Sequence, residues 1–213
     1  MVRRSARHTA ITFVIFDMDG VLAHLDKDKR LEWLSRTTGK IPEHFNSTVW
    51  HSDFERSAEA GEYPTASAYL AEFNRRTGCA LSREQWIEAR RQAMTLIPET
   101  LEIARKLRQV AGIAMLTNNG SLLKENLPEL MPELCGVFGK ALHASCEFNA
   151  RKPDKMVFDR LLAHYSVAHE QALLIDDDPL NVRGARQAGL CALLFQDPAK
   201  LHMELSWLGL LPA

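Results

Sequence analysis

No stretch of this chain approaches the roughly 18 consecutive apolar residues that a membrane-spanning helix requires, so a helical membrane span is excluded. Cysteine is scarce. The four residues, Cys79, Cys135, Cys146 and Cys191, form no CxxC pair and keep no zinc-like spacing from the eight histidines. That excludes a disulfide scaffold and a cysteine-held zinc site. Each thiol stands among apolar neighbours and is expected to be a buried small hydrophobe, and unpaired cysteines fit a reducing, cytoplasmic location. An excess of one charge sign is missing as well: the formal net charge is −1, with 25% charged residues of mixed sign. The basic stripe of a nucleic-acid binder is therefore absent. Internal repeats and low-complexity tracts are absent too. The basic opening MVRRSARHTA lacks an apolar run of signal-peptide length and reads as a frayed tail. What remains is a globular chain of 213 residues, 46% apolar, sufficient for one sizeable α/β core with a small insert. A small soluble substrate is expected as its partner.

Short apolar runs, each ending in polar or acidic residues, are the clearest pattern present. Ile11–Phe16 runs into Asp17, Ile113–Leu116 into Thr117, Ala172–Ile175 into Asp176 and Cys191–Phe195 into Gln196, with a weaker run from Lys140 to Ala144. Continuous rather than alternating hydrophobicity predicts strands buried on both faces, as in a parallel sheet. Helical stretches lie between them: Pro98–Val110, Asp154–Tyr165 and Pro179–Ala188, the last introduced by Asp178 as N-cap and closed by Gly189. This alternation predicts right-handed βαβ units and a doubly wound, Rossmann-like parallel sheet. The rhythm breaks once. Between the first strand and the Pro98 helix the chain reads as several helices and no convincing strand: Lys29–Arg36, Pro42–Trp50, Phe54–Ala60, Thr65–Arg76 and Ser82–Met94. We therefore expect a core of residues 1–22 and 95–213 and a helical insert at 23–94, emerging from the carboxyl end of the first strand, where open α/β sheets bind ligands.

The residues able to do chemistry collect after the strands. Asp17 and Asp19 follow the first, Thr117, Asn118 and Asn119 the second, Lys152 the third and Asp176, Asp177 and Asp178 the fourth. Five carboxylates converging on one crevice repel each other unless a cation neutralises them, and carboxylate oxygens suit a hard ion such as magnesium. Lys152 adds a point charge fitted to a phosphate oxygen. Acids, a lysine, a hydroxyl and amides at strand ends together suggest a phosphoryl-transfer site. Turn and cap residues explain any one of these groups but not all four together. Asp178 is the exception, better placed as the N-cap before Pro179, while Asn181 is expected to serve the loop and Gly20 to permit a sharp turn.

With DMDG at Asp17–Gly20, LTNN at Leu116–Asn119, RKPD at Arg151–Asp154 and IDDD at Ile175–Asp178, in that order, the chain resembles the haloacid dehalogenase superfamily over nearly its whole length. The helical insert resembles that family's type-one cap. The resemblance implies a magnesium-dependent phosphatase: Asp17 the nucleophile forming an aspartyl-phosphate, and Asp19 the general acid and base. It also implies Thr117, the Asn118 amide and Lys152 on the phosphoryl group. The metal would be held by Asp17, the Asp19 carbonyl and Asp177, with Asp176 in support. Because Asp19 is present, phosphate esters are favoured over haloacids. The motifs look most like those of small sugar-phosphate phosphatases, such as those acting on glucose 1-phosphate, and of the phosphatase-like domain of soluble epoxide hydrolases. A phosphomutase would share all four motifs, and a non-catalytic binding protein on the same fold would have lost one. His24, His51, Arg56 and Glu62 are the polar residues of the insert that could face the crevice, whereas Trp33, Trp50 and Trp86 are expected in its core.

Overall fold

The computed structural model describes residues 10–212, so the basic tail of the first nine residues lies outside the described residues. Five parallel strands form the central sheet: β1 (Phe13–Phe16), β4 (Gly112–Thr117), β5 (Leu142–Ala144), β6 (Ala172–Asp176) and β7 (Cys191–Leu194), ordered β5-β4-β1-β6-β7. Every predicted run of the core is one of these strands. Along β1, Phe13 and Ile15 enter one apolar cluster while Val14 and Phe16 enter the other. Both faces of the strand are thus buried, which is why its sequence is continuously apolar. The strand lies at the centre, with Phe16 paired to Met115 on one side and to Ile175 on the other. The carboxyl ends of β4, β1 and β6 consequently open side by side.

Helices cover both faces. Ahead of β4 lies α6 (Pro98–Leu107), started by Pro98 at its first turn. Between β4 and β5 lie α7 (Ser121–Leu130) and α8 (Pro132–Phe138). Before β6 comes α9 (Lys155–Tyr165), whose N-cap Asp154 accepts from Met156 N. Then α10 (Pro179–Gln187) is capped by Asp178, which accepts from Leu180 N, as its sequence predicts. The last helix, α11 (Pro198–Trp207), starts from the Asp197 cap.

The insert holds five helices: α1 (Lys27–Thr38), α2 (Pro42–Phe45), α3 (Phe54–Glu59), α4 (Ala66–Thr77) and α5 (Arg83–Ala93). Side-chain caps set their starts, Asp26 for α1, Thr65 for α4, and a reciprocal Ser82–Gln85 capping box for α5. Two expectations need correction. A two-stranded antiparallel ribbon, β2 (Ala23–Leu25) with β3 (Met94–Leu96), joins both ends of the insert to the core. Each strand has three residues, and the exposed His24 interrupts any apolar run, so no pattern announces them. The Pro42–Trp50 helix is also not uniform. After Phe45 it widens into a π-turn over Asn46–Trp50, where Ser47 and Thr48 hydroxyls donate to carbonyls one turn back, Thr48 Oγ1 to His44 O at 2.6 Å.

Aromatic packing gives the insert its own interior. Phe54 lies with ring centroids 5.0 Å from Tyr69 and 5.3 Å from Tyr63, and Phe45, Phe73 and Trp86 complete the group. Burying each such ring stabilises by about 1.5–3 kcal/mol. The same apolar cluster runs unbroken into the sheet face formed by Phe16, Met115 and Ile175. The cysteines depart from expectation: Cys79, Cys135 and Cys146 are half-buried and Cys191 is exposed, because it occupies the outer position of the edge strand β7. All four are free thiols.

Candidate active site

Asp17 is the first residue beyond β1. Its N–H donates to Ile175 O at 2.9 Å, extending the β1–β6 pairing by one step, and this fixes the carboxylate at the sheet edge. The loop then closes tightly: the N–H groups of Leu22 and Ala23 both donate to Met18 O at 2.9 Å, and Gly20 N donates to Ala23 O at 2.8 Å. Gly20 is obligatory here on two counts. Its φ is +86°, and a Cβ at that position would lie 2.1 Å from Asp177 Oδ2. The turn leaves the Asp19 carbonyl without a main-chain donor among the described residues.

Lys152 binds this loop to the others. It is fully buried, and its Nζ lies 2.8 Å from Asp17 Oδ1 and 2.6 Å from Asp176 Oδ2. Asn118 holds the Lys152 backbone at both ends, its side chain donating to Lys152 O at 2.9 Å and accepting from Lys152 N at 2.8 Å. The Asn118 side chain is thus committed to positioning, which leaves only its main chain to face a ligand. Thr117, buried at the end of β4, has its hydroxyl oriented by a 2.8 Å hydrogen bond from Asn119 Nδ2. Asp176 is saturated: beside Lys152, its Oδ1 accepts from Asp178 N and Asn181 Nδ2, both at 3.0 Å. Asp177 is exposed, with its carboxylate against Gly20.

Oxygens of Asp17, Asp176 and Asp177 come within 4.8 Å of one another. Among the described residues, only the Lys152 ammonium stands among them. Burial, opposed by Lys152 and reinforced by Asp176 and Asp19, pushes the Asp17 carboxyl up to about 8. Burial and Asp176 likewise raise Asp177. For Lys152, burial disfavours the charge, but Asp17 and Asp176 outweigh it and hold the ammonium firmly protonated. The site therefore holds more negative charge than its own cation neutralises. An all-oxygen acidic set of this kind fits a hard divalent ion, which would return Asp17 to its ionised form.

The insert adds residues that the sequence did not single out. From α5, the buried Arg90 reaches Asp19, Nη2 to Oδ2 at 2.8 Å. Beside it Arg30 of α1 is buried, its guanidinium 5.0 Å from the Trp50 ring and 5.1 Å from the Trp86 ring. Glu59 of α3 pairs with Arg151, the neighbour of Lys152, and burial nonetheless pushes Glu59 up to about 7. The Glu59 carbonyl also accepts from Ser145 Oγ at 2.8 Å, so α3 is fastened to the sheet edge twice. Trp86 is buried in the apolar cluster and Trp33 and Trp50 pack against it, yet Trp50 and Trp86 also clamp Arg30. His24, His51, Arg56 and Glu62 are all exposed. Of these, His24 lines a cavity of about 460 Å³ with Asp19 and Asp177, and His51 lines a smaller neighbouring one.

Comparison with known proteins agrees with this fold. A phosphoserine phosphatase of Thermus thermophilus is 33% identical over 146 residues, which is 65% of this chain and 51% of the relative, so the match spans about half of that protein's length. A HAD family enzyme of Bacteroides thetaiotaomicron, solved with magnesium and inorganic phosphate, shares the fold at TM-score 0.75 over 90% of this chain and 99% of its own, at 19% identity. A HAD-like hydrolase of Porphyromonas gingivalis does so at 0.76, over 91% and 98%, at 21% identity. The L-2-haloacid dehalogenase of Xanthobacter autotrophicus, with chloropropionic acid covalently bound, is more distant, at 0.59 over 95% and 85% with 16% identity. Residues 11–189 match the haloacid dehalogenase-like hydrolase family, and with the four strand-end groups in one crevice, the chain belongs to that family.

Proposed function

We propose that the protein is a magnesium-dependent phosphomonoesterase acting on a small phosphorylated metabolite through an aspartyl-phosphate. The observation that carries this reading is the buried Asp17–Lys152–Asp176 chain at the sheet edge, with a further carboxylate, Asp19, two residues after the nucleophile. In this reading an Asp17 oxygen attacks phosphorus and the bond to the ester oxygen breaks, dividing the displacement into two steps. Asp19 gives its proton to the leaving oxygen, then takes one from the water that attacks the phosphoryl group and frees Asp17. Thr117 Oγ1, the Asn118 N–H and Lys152 hold the phosphoryl oxygens, already oriented before substrate arrives. Asp17, the Asp19 carbonyl and Asp177 would hold the magnesium, and Asp176, whose oxygens already accept three hydrogen bonds, would support it. When bound, that ion supplies charge neutralisation for the phosphate and for Asp17. Residues 23–94 act as a cap that excludes water, and the free thiols suit a cytoplasmic setting.

The test is phosphate release from a panel of phosphorylated metabolites that includes glucose 1-phosphate and phosphoserine, with magnesium or with chelator, for native protein and Asp17→Asn. Magnesium-dependent release lost in the variant is expected. A folded, metal-supplied protein that releases phosphate from none of them contradicts the reading.

A further inference from the structure

The insert buries two arginines with too few partners. Arg30 and Arg90 are 4% and 3% exposed. Arg90 spends one nitrogen on Asp19, while Nε of both residues is buried with no hydrogen-bond partner among the described residues, as are Trp86 Nε1 and Asp19 Oδ1. Arg30 has no ion pair among the described residues. The acid on its own side, Glu55, has Oε1 accepting from the Tyr69 hydroxyl at 2.7 Å. Burial and the like charge of Arg90 weaken Arg30's hold on its proton, and Glu55 and Asp19 do not make up the difference. A guanidinium is scarcely ever deprotonated, and burying one without a counter-ion is costly. The Trp50 and Trp86 rings offset part of that cost by cation–π attraction, but they accept none of the hydrogen bonds that Nε lacks.

The position of the pair supplies the reason for it. Arg90 touches the residue beside which an ester's leaving oxygen would lie, and Arg30, packed against Trp86, carries the neighbouring like charge. Arg30, Lys27, Asn46, Trp50 and His51 line a cavity of about 180 Å³. Lys27 and Leu25 also line the larger cavity at Asp19 and Asp177, so the two spaces share a wall. Arg30 and Lys27 put two cations on these walls, and Arg90 stands behind Asp19, which lines the larger cavity.

We propose that Arg30 and Arg90 form a second anion subsite, selecting a small phosphomonoester that carries another anionic group, a carboxylate or a second phosphate, on its leaving portion. This inference rests on the phosphomonoesterase reading for the word ester alone, since binding can be measured without turnover.

The experiment uses matched pairs. Phosphoserine against phosphoethanolamine differs by a carboxylate, and 1,3-propanediol bisphosphate against its monophosphate differs by a phosphate. Binding is measured by calorimetry on magnesium-loaded Asp17→Asn protein, and kcat/KM on the native enzyme. The doubly anionic member of one pair is expected to bind at least about tenfold more tightly, as a charge-assisted contact made in a dry site would give. The pair that discriminates names the group. Adding Arg30→Met, which keeps an unbranched stem between the tryptophans, is expected to cut that preference about tenfold, with partial recovery in Arg30→Lys. Ligand-free Arg30→Met is expected to melt no lower than native, whereas a structural arginine would lower the melting temperature. Equal binding within both pairs, or a preference that survives Arg30→Met, overturns the proposal. Discrimination in binding by a protein that hydrolyses nothing would keep the subsite and remove the phosphatase reading.

Discussion

The sheet edge and the helical insert handle buried charge in opposite ways. At the sheet edge Lys152 is wholly enclosed but meets Asp17 and Asp176, and Asp176 in turn meets Asn181 and a main-chain N–H. That network is nearly closed on itself and lacks only positive charge. In the insert Arg30 and Arg90 are almost as enclosed, yet the Nε of each meets no partner among the described residues. The first arrangement suits one chemistry performed on any phosphate, and the second suits a choice among molecules that carry one. On the proposed reading, reaction and selection occupy different elements of the chain, joined at the Asp19–Arg90 contact.

Removing the charge on the sheet side should have the largest effect. Lys152→Met leaves Asp17 and Asp176 buried against each other, and kcat is expected to fall by about a thousandfold or more, read from phosphate release. Chelation of the metal should lower turnover as severely and be reversed by magnesium. Gly20→Ala is next: its Cβ would strike the Asp177 carboxylate at 2.1 Å with φ at +86°. Magnesium affinity by calorimetry should weaken markedly more than the melting temperature falls. On the insert side, Phe54→Ala removes a fully buried ring and should cost about 3–5 kcal/mol in denaturant unfolding.

The smallest effect is at the fastening between the two regions. Burial pushes the Glu59 carboxyl up to about 7, above its ordinary value of about 4.3. A carboxyl with a raised folded pKa contributes stability that is fully present below its unfolded pKa and is lost as pH rises through the folded one. Glu59→Gln, which does not titrate, should therefore gain on native by about 1 kcal/mol or more between pH 5 and pH 8 in urea unfolding. A pH-independent difference would break this part of the comparison.

Much of the sheet side was legible in the chain itself. Parallel strands buried on both faces leave long apolar runs, and each run here stops at a polar residue because the strand ends at the crevice. Asp17, Thr117 and Asp176 are legible that way and Lys152 from the RKPD string, and the structure brings Asp17, Lys152 and Asp176 into contact. The insert was far less legible. β2 and β3 are too short to show a period. Arg30 and Arg90 stand in strings such as Arg83–Ala93, where charges surround them and suggest a solvated face. The signal was present, since Arg90 follows Trp86 by four positions and Ile87 by three and so falls on the buried stripe of α5. A cation on an apolar stripe is the feature to search for. His24, His51, Arg56 and Glu62 stand out in the sequence as polar residues of the insert, but which of them face the crevice is decided by contacts across the fold, which adjacency in sequence does not carry.

The most direct test of the account is to look for the phosphoryl group on Asp17. Magnesium-loaded enzyme turning over its best phosphate ester is quenched rapidly into acid, and its peptides are mapped by mass spectrometry. The account predicts one phosphoryl adduct on the peptide containing Asp17, absent from Asp17→Asn, which should also lose turnover by about a thousandfold or more. Sustained turnover by Asp17→Asn, or an adduct on another residue during native turnover, would contradict it.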